Sequence, residues 1–168
     1  MKAKKSVATS SLAEFDLHPV EPRWKRILVP LDFTESSVKA LDYAIPLARR
    51  SGGKLVLLHV VQFPVMPMPA VTGGAIGQVK EAHKALTQEA GVRLNALAKK
   101  AGANGLVSHT FVTTGTAWNE IVKAAKRLKC DLVVISSRSH KGIMQILASH
   151  TAEHVVRMAP CSTLCIRG

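Results

Sequence analysis

The sequence predicts an α/β fold: an open, doubly wound, Rossmann-like parallel sheet of five strands in the order 3-2-1-4-5, with helices on both faces. Short apolar runs alternate with segments of helical period, as expected of βαβ units. Apolar residues make up 47% of the chain and aromatic residues 4%, so the core consists of Val, Leu, Ile and Ala, as in buried parallel sheets. A length of 168 residues suits one domain.

Five apolar runs are the predicted strands: residues 26–32 (RILVPLD), 54–61 (KLVLLHVV), 106–113 (LVSHTFVT), 131–136 (DLVVIS) and 162–167 (STLCIR). Segments of helical period between them are the predicted helices: residues 35–50, 78–101, 117–128 and 149–158. We expect the crossover connections between these parallel strands to be right-handed.

Local signals mark the boundaries of the first helix. Thr34 is its predicted N-cap, and Gly52–Gly53 end it. Pro46 lies inside the helical pattern and predicts a kink or a break there. Residues 62–77 are so rich in proline and glycine that we expect no regular structure.

Two parts of the chain are distinguished by pattern. Residues 1–24 have no periodicity and are predicted to be an extension, whereas residues 25–168 form the single domain. No apolar run reaches the roughly 18 residues that cross a bilayer, and no apolar segment follows the basic start. We therefore expect a cytoplasmic protein without a membrane partner. Its three cysteines, Cys130, Cys161 and Cys165, are expected to be reduced, with Cys165 in the core.

The net charge of +12, from 23 Lys and Arg against 11 Asp and Glu, favours anionic partners such as nucleotides or acidic proteins. The basic residues are spread along the chain without interleaved aromatic residues. A binder of single-stranded nucleic acid uses such aromatic residues for stacking, so we expect no nucleic-acid partner.

Ligands of open α/β sheets bind beyond the carboxyl ends of the strands, where the strand order reverses. In the predicted order this point lies between the first and fourth strands. The candidate residues there follow the first strand, follow the fourth strand or begin the last helix, where free N–H groups attract anions: Pro30, Leu31, Asp32, Ile135, Ser136, Arg138, Ser139, Ser149, His150 and Thr151.

Four stretches resemble the universal stress protein family: KRILVPLDFTESSVKAL, LVLLHVV, GTAWNEIVKAAKRLKCDLVVISSRSHKG and TAEHVVRMAPCSTLCIR. The resemblance covers residues 25–167. It implies an adenine nucleotide alpha hydrolase-like domain that forms a homodimer, commonly through the last strand, here residues 162–167. It also implies a possible nucleotide ligand, because many members bind ATP.

ATP-binding members carry the pattern G-x2-G-x9-G-[ST], which falls here on Ser136, Ser139, Ser149 and His150. All three glycines are serine, and the hydroxyl residue is histidine. A Cβ costs about 1–2 kcal/mol wherever φ must be positive, and it keeps a phosphate from approaching the backbone closely. The family's nucleoside-side positions are retained as Asp32 and Val60, although Asp32 also suits a turn before the Thr34 cap.

The sequence thus predicts a stress-response binding or regulatory module with a degraded nucleotide motif, which binds ATP weakly or not at all and takes AMP or no ligand. The alternative is an ATP- or AMP-binding protein with slow hydrolase activity, and no catalytic residue is assigned. The run from His150 to His154 spells H-x-x-E-H, the signature of inverted zinc proteases. No Asp or Glu follows Glu153 to complete such a site, so we predict no metal.

Overall fold

Five parallel strands and four helices alternate along the part of the chain that the structure describes. The computed structural model describes residues 21, 23–62, 73–100, 105–137 and 150–167. The strands are β1 (Arg26–Pro30), β2 (Lys54–Val61), β3 (Val107–Thr114), β4 (Leu132–Ser137) and β5 (Ser162–Arg167). The helices are α1 (Glu35–Ser51), α2 (Gly73–Lys100), α3 (Ala117–Arg127) and α4 (Thr151–Met158).

The sheet has the order β3-β2-β1-β4-β5, and every neighbouring pair is parallel. The predicted fold class is therefore confirmed. β1 lies in the centre, and the strand order reverses between β1 and β4. β3 and β5 form the two edges of the sheet.

Each face of the sheet is covered by two helices. Ile27 and Val29 of β1 pack into a cluster with residues of α1 and α2, whereas Leu28 packs into a cluster with residues of α3 and α4. This division follows from the alternation of side chains along a strand. Both clusters consist mainly of Val, Leu, Ile and Ala, as predicted.

The predicted caps of α1 are present. The Thr34 side chain accepts a hydrogen bond from the Ser37 N–H, and Gly52 ends the helix with φ 67°. Gly53 is required for a different reason, because a Cβ there would lie 2.0 Å from the Trp24 carbonyl oxygen. Among the described helices, none is long and apolar enough to cross a membrane.

Several element boundaries differ from the prediction. α1 is one helix through Pro46, so the predicted break was wrong. Because proline has no N–H, only the Asp42 carbonyl loses its helical hydrogen bond, and Asp42 is exposed. α2 begins at Gly73, inside residues 62–77, because extending a helix costs far less than nucleating one. β1 ends at Pro30, and β3 and β4 each run one residue further than predicted.

Candidate functional site

The seam between β1 and β4 has two unlike halves. The ladder joins Ile27 to Leu132 and Leu28 to Val133, and we call these four residues the paired half. On the other side of β1, pairing with β2 continues to Pro30. We call Val29, Pro30 and residues 134–137 the open half. The β1–β4 ladder ends after Leu28 and Val133, where the strand order reverses. Ligands of open α/β sheets bind at such a point, and we call the region beyond this end of the ladder the candidate crevice.

Asp32 lies at the mouth of this crevice and stabilises the turn that leaves β1. Its Oδ1 accepts hydrogen bonds from the Thr34 backbone N–H (3.0 Å) and from the Thr34 hydroxyl. The Asp32 N–H donates to Ser37 Oγ over 3.3 Å. The turn role of Asp32 is therefore present, and its contact with a nucleoside stays a prediction.

Phe33 has a backbone conformation that is rare for a residue with a side chain. Its φ is 63°, and holding a non-glycine residue in this region costs about 1–3 kcal/mol. The His59 ring stacks on the Phe33 ring at 4.5 Å between centroids, and the Arg93 guanidinium lies 4.2 Å from the same centroid. These contacts hold the strained turn in place. The sequence pattern contains no signal for this φ, and Phe33 and Arg93 were not among the predicted site residues.

Leu31 and His59 connect the turn to β2. The His59 Nδ1 lies 2.7 Å from the Leu31 carbonyl oxygen, so Nδ1 must be the donor, because a carbonyl only accepts. The Leu31 N–H donates to the Leu58 carbonyl oxygen over 2.8 Å, and its side chain is 2% exposed. Leu31 thus positions the crevice through its backbone and the core, and Val60 packs partly buried at the margin of the second cluster.

On the β4 side, Ser136 is half-buried and pairs with Ile166, and Ile135 is buried under α3 and α4. His150 is the N-cap residue of α4 with φ −69°, and Thr151 is the first residue of that helix. Ser136 is the first glycine position of the family pattern, and its φ is not positive. The strain that replacing a glycine can cause is therefore absent at Ser136, and only crowding by the Cβ remains. His150 stands at the hydroxyl position of the pattern, where no glycine is replaced. Arg138, Ser139 and Ser149 lie outside the described residues.

The two histidines of the H-x-x-E-H run have different partners. His150 Nδ1 lies 3.4 Å from Glu153 Oε2, and Glu153 also pairs with Arg157. The His154 ring stacks on Trp118, with 5.2 Å between the centroids. Within the described ranges no group of three or more His, Cys, Asp and Glu is arranged to hold a metal.

Two of the three cysteines have thiols that resist ionisation. Burial raises the pKa of Cys130 to about 11, and the neighbouring Cys161 contributes to the same shift. Burial also raises the pKa of Cys161. A protonated thiol is a poor nucleophile, so these two positions do not favour redox chemistry. Cys165 is exposed, and the prediction of a core position was wrong because its side chain points away from the cluster that contains Ile166.

The family model described as "Universal stress protein family" matches residues 23–167, so the chain belongs to the universal stress protein family. It is similar to Universal stress protein MJ0531 of Methanocaldococcus jannaschii, with 31% identity over 88% of this chain and 84% of the relative. Among solved structures, it is similar to UspA from Lactobacillus plantarum, with a TM-score of 0.69, 23% identity and coverage of 88% of this chain and 100% of that one.

Two further solved structures of similar fold contain nucleotides. One is a universal stress protein in complex with cAMP, with a TM-score of 0.57 and 22% identity over 86% of this chain and 98% of that one. The other is the universal stress protein from Archaeoglobus fulgidus in complex with dAMP, with a TM-score of 0.51 and 18% identity over 86% of this chain and 99% of that one. Adenine nucleotides are thus ligands of proteins with this fold.

Proposed function

We propose that this protein is a stress-response binding module whose crevice holds an adenosine monophosphate weakly and does not bind ATP tightly. The observation that carries the proposal is the end of the β1–β4 ladder after Leu28 and Val133, beside the Asp32 turn. This point is the position where open α/β sheets bind ligands. The ligands of the two solved relatives, cAMP and dAMP, support one phosphate as the favoured size.

Crowding around the phosphates of the ligand is the reason for expecting weak binding of a triphosphate. The three glycine positions of the family pattern are Ser136, Ser139 and Ser149. At Ser136 the strand backbone is unstrained, so a serine costs nothing in the free protein. Its Cβ and hydroxyl would instead oppose the close approach of phosphate oxygens to the backbone. The difference in affinity between a monophosphate and a triphosphate therefore arises when the ligand binds and not from strain in the free protein.

Isothermal titration with AMP, cAMP and ATP tests this function. We expect at least one monophosphate to bind with a Kd above about 1 μM and ATP to bind no more tightly. Asp32→Ala should weaken monophosphate binding about tenfold, which corresponds to about 1.4 kcal/mol. Asp42→Ala is the matched control, since Asp42 is an exposed carboxylate of α1, and it should change nothing. Failure of all three nucleotides to bind would contradict the proposed function.

Restoring the glycines tests the cause. The triple substitution Ser136→Gly, Ser139→Gly and Ser149→Gly should raise the affinity for ATP at least tenfold while the affinity for AMP changes less. Sub-micromolar ATP binding by the unchanged protein would refute the crowding argument. Phosphate release during prolonged incubation with ATP would favour the alternative of a slow hydrolase.

We further propose that the protein acts in the cytoplasm as a homodimer joined through β5, as the family resemblance implies. β5 is an edge strand, and Cys165 on it is exposed. In a two-fold pairing, Cys165→Lys would bring two added charges together and should shift the sedimentation coefficient to that of a monomer. His109→Lys adds the same charge to β3, the opposite edge, and should leave the dimer intact. A monomeric unchanged protein would contradict the proposed dimer.

A further inference from the structure

Within the described residues, the other edge of the sheet has few of the features that usually prevent strand pairing. The register of β3 against β2 shifts once, between Val107 and His109, and is regular from His109 to Thr114. β3 is eight residues long, VSHTFVTT, and contains no Lys, Arg, Asp, Glu or Pro. Its only neighbour in the sheet of described strands is β2. Natural edge strands are normally kept from pairing by short length, charged residues, proline or a cover. The outer side of β3 therefore presents a row of backbone donors and acceptors that suits an added strand.

A groove of about 710 Å³ runs beside β3 on the α3 side of the sheet. Its apolar floor includes Leu58, Phe111 and Ala124. Phe111 is only partly buried at the margin of the second cluster, because α3 packs mainly over the more central strands. Since β3 is the outermost strand, the groove opens at the same edge as the unpaired backbone.

The rim of this groove is basic. Lys123, Lys126 and Arg127 line it together with one carboxylate, Glu120. Glu120 is already engaged by Lys123 Nζ at 2.8 Å and by the Thr113 hydroxyl at 3.4 Å. The Arg127 guanidinium lies 5.8 Å from the centre of the Phe111 ring, so cationic and apolar surfaces are adjacent. Such a rim attracts negative charge.

We propose that β3 and this groove bind an extended acidic segment of a partner protein. The segment adds to β3 as a sixth strand, and its backbone supplies the hydrogen bonds of strand addition. Alternate residues of a strand face the same side, so every second side chain faces the groove. Acidic side chains at those places pair with Lys126 and Arg127, and an apolar one rests on Phe111.

Charge decides between this occupant and two others. A second copy of the chain carries +12 and would bring two basic rims together. Residues 1–20 contain three Lys against one Glu and one Asp, so this segment is basic overall. An acidic segment of another protein is the occupant that the rim favours. This inference does not depend on the crevice, which lies at the β1–β4 seam.

The probe is a synthetic peptide of eight residues in which every second residue is glutamate, phenylalanine, glutamate and glutamate in turn, and the residues between them are threonine. Its acidic and apolar side chains then share one face of the strand, and the same peptide with lysine for glutamate is its control. Fluorescence anisotropy should show binding of the acidic peptide alone, with weaker binding at high salt. Hydrogen exchange should slow at the amides of Val107–Thr114 when the acidic peptide binds. Equal binding of the lysine peptide, or unchanged exchange in β3, would overturn the proposal.

The chain offers a matched pair of variants. Lys126 and Arg127 lie in the last turn of α3, and Arg49 and Arg50 lie in the last turn of α1. Each double substitution to Glu changes the net charge equally. We expect Lys126→Glu with Arg127→Glu to weaken peptide binding at least tenfold, and Arg49→Glu with Arg50→Glu to weaken it less than threefold. Equal losses would mean attraction by net charge only and would reject the site.

The other occupants give distinct results in the free protein. Deleting residues 1–20 should leave amide exchange in β3 unchanged, and faster exchange would identify the chain's own segment as the occupant. Exchange in β3 should also be independent of protein concentration, and protection that rises with concentration would identify a second copy. Either result would overturn the assignment to a partner. Nucleotide titration of the same variants keeps a failure here distinct from a failure of the crevice.

Discussion

The two halves of the β1–β4 seam use similar residue types for different purposes. In the paired half, Leu28 and Val133 are fully buried, and the Asp131 carboxylate joins the start of β4 to β1 by accepting from the Lys25 and Arg26 N–H groups. Beside the open half, the Asp32 carboxylate accepts hydrogen bonds from Thr34, two residues away. The Asp131 bonds join distant parts of the chain, and the bonds from Thr34 shape a turn. The difference teaches that the sheet and the turn beside the crevice are held by separate sets of hydrogen bonds.

The largest effect should come from Leu28 in the paired half. Leu28→Ala removes a fully buried side chain and should lower the free energy of unfolding by about 2–5 kcal/mol. Ser136→Ala in the open half should change it by less than about 1 kcal/mol, because Ser136 is half-buried at the end of its strand. Urea unfolding monitored by circular dichroism measures both. Equal losses would contradict the division of the seam.

The thiol of Cys130, next to Asp131, should make stability depend on alkaline pH. The pKa of this thiol is raised by burial to about 11, against 9.0 in the unfolded chain. Below pH 9 both states keep the proton, and the full stability is present. Between pH 9 and pH 11 the unfolded state ionises first, so folding loses about 2–3 kcal/mol, at 1.36 kcal/mol for each pKa unit.

The free energy of unfolding, measured with a reductant present in steps from pH 8.5 to pH 11, checks this dependence on pH. Other groups titrate in the same range, so the quantity to compare is the difference between the unchanged protein and Cys130→Ala. Because alanine cannot ionise, the destabilisation by Cys130→Ala should shrink as the pH rises. A constant difference would show that the Cys130 thiol ionises as easily in the folded chain as in the unfolded chain. Water would then reach this end of the seam.

Much of the fold could be predicted because it depends on pattern. The buried runs around Leu28, Leu57 and Val133 have strand length and recur between helical segments, which suffices for a parallel sheet of the α/β class, and the predicted strand order is one of the common orders of doubly wound sheets. The start of α2 and the passage of α1 through Pro46 could not be predicted, since both depend on how a helix already formed continues across poor residues. The pattern also gave no reason to expect Cys165 on the exposed side of β5.

The candidate site was predictable only in position. The reversal point and Asp32 follow from topology, whereas the support of Phe33 by His59 and Arg93 joins β1, β2 and α2 across distant parts of the sequence. A positive φ at a phenylalanine has no sequence signal, because phenylalanine is not enriched in that region. A serine at a glycine position is strained wherever φ must be positive, and Ser136 does not have that strain.

Asp131 and Asp32 allow the same comparison of the two ends of the seam, with smaller expected losses of stability. Asp131→Ala removes hydrogen bonds between residues 105 and 106 positions apart and should cost about 1–3 kcal/mol of stability. Asp32→Ala removes bonds within a turn and should cost about 1 kcal/mol or less. Thermal unfolding of the two variants measures the contrast. A larger loss for Asp32→Ala would mean that the open half carries the stability of the seam.

The smallest expected effect concerns Phe33, where the test is which of two substitutions leaves the protein more stable. Both Phe33→Ala and Phe33→Gly remove the stacking on His59, but only glycine relieves the positive φ, by about 1–2 kcal/mol. Glycine loses about 0.4–1 kcal/mol relative to alanine through the greater freedom of its unfolded chain. Phe33→Gly should therefore be more stable than Phe33→Ala by up to about 1.6 kcal/mol, as urea unfolding can measure. At Asp42, an exposed position of α1, the order should reverse, since alanine favours a helix by about 1 kcal/mol. If alanine is also the more stable residue at position 33, the turn at the crevice is not held in the left-handed conformation.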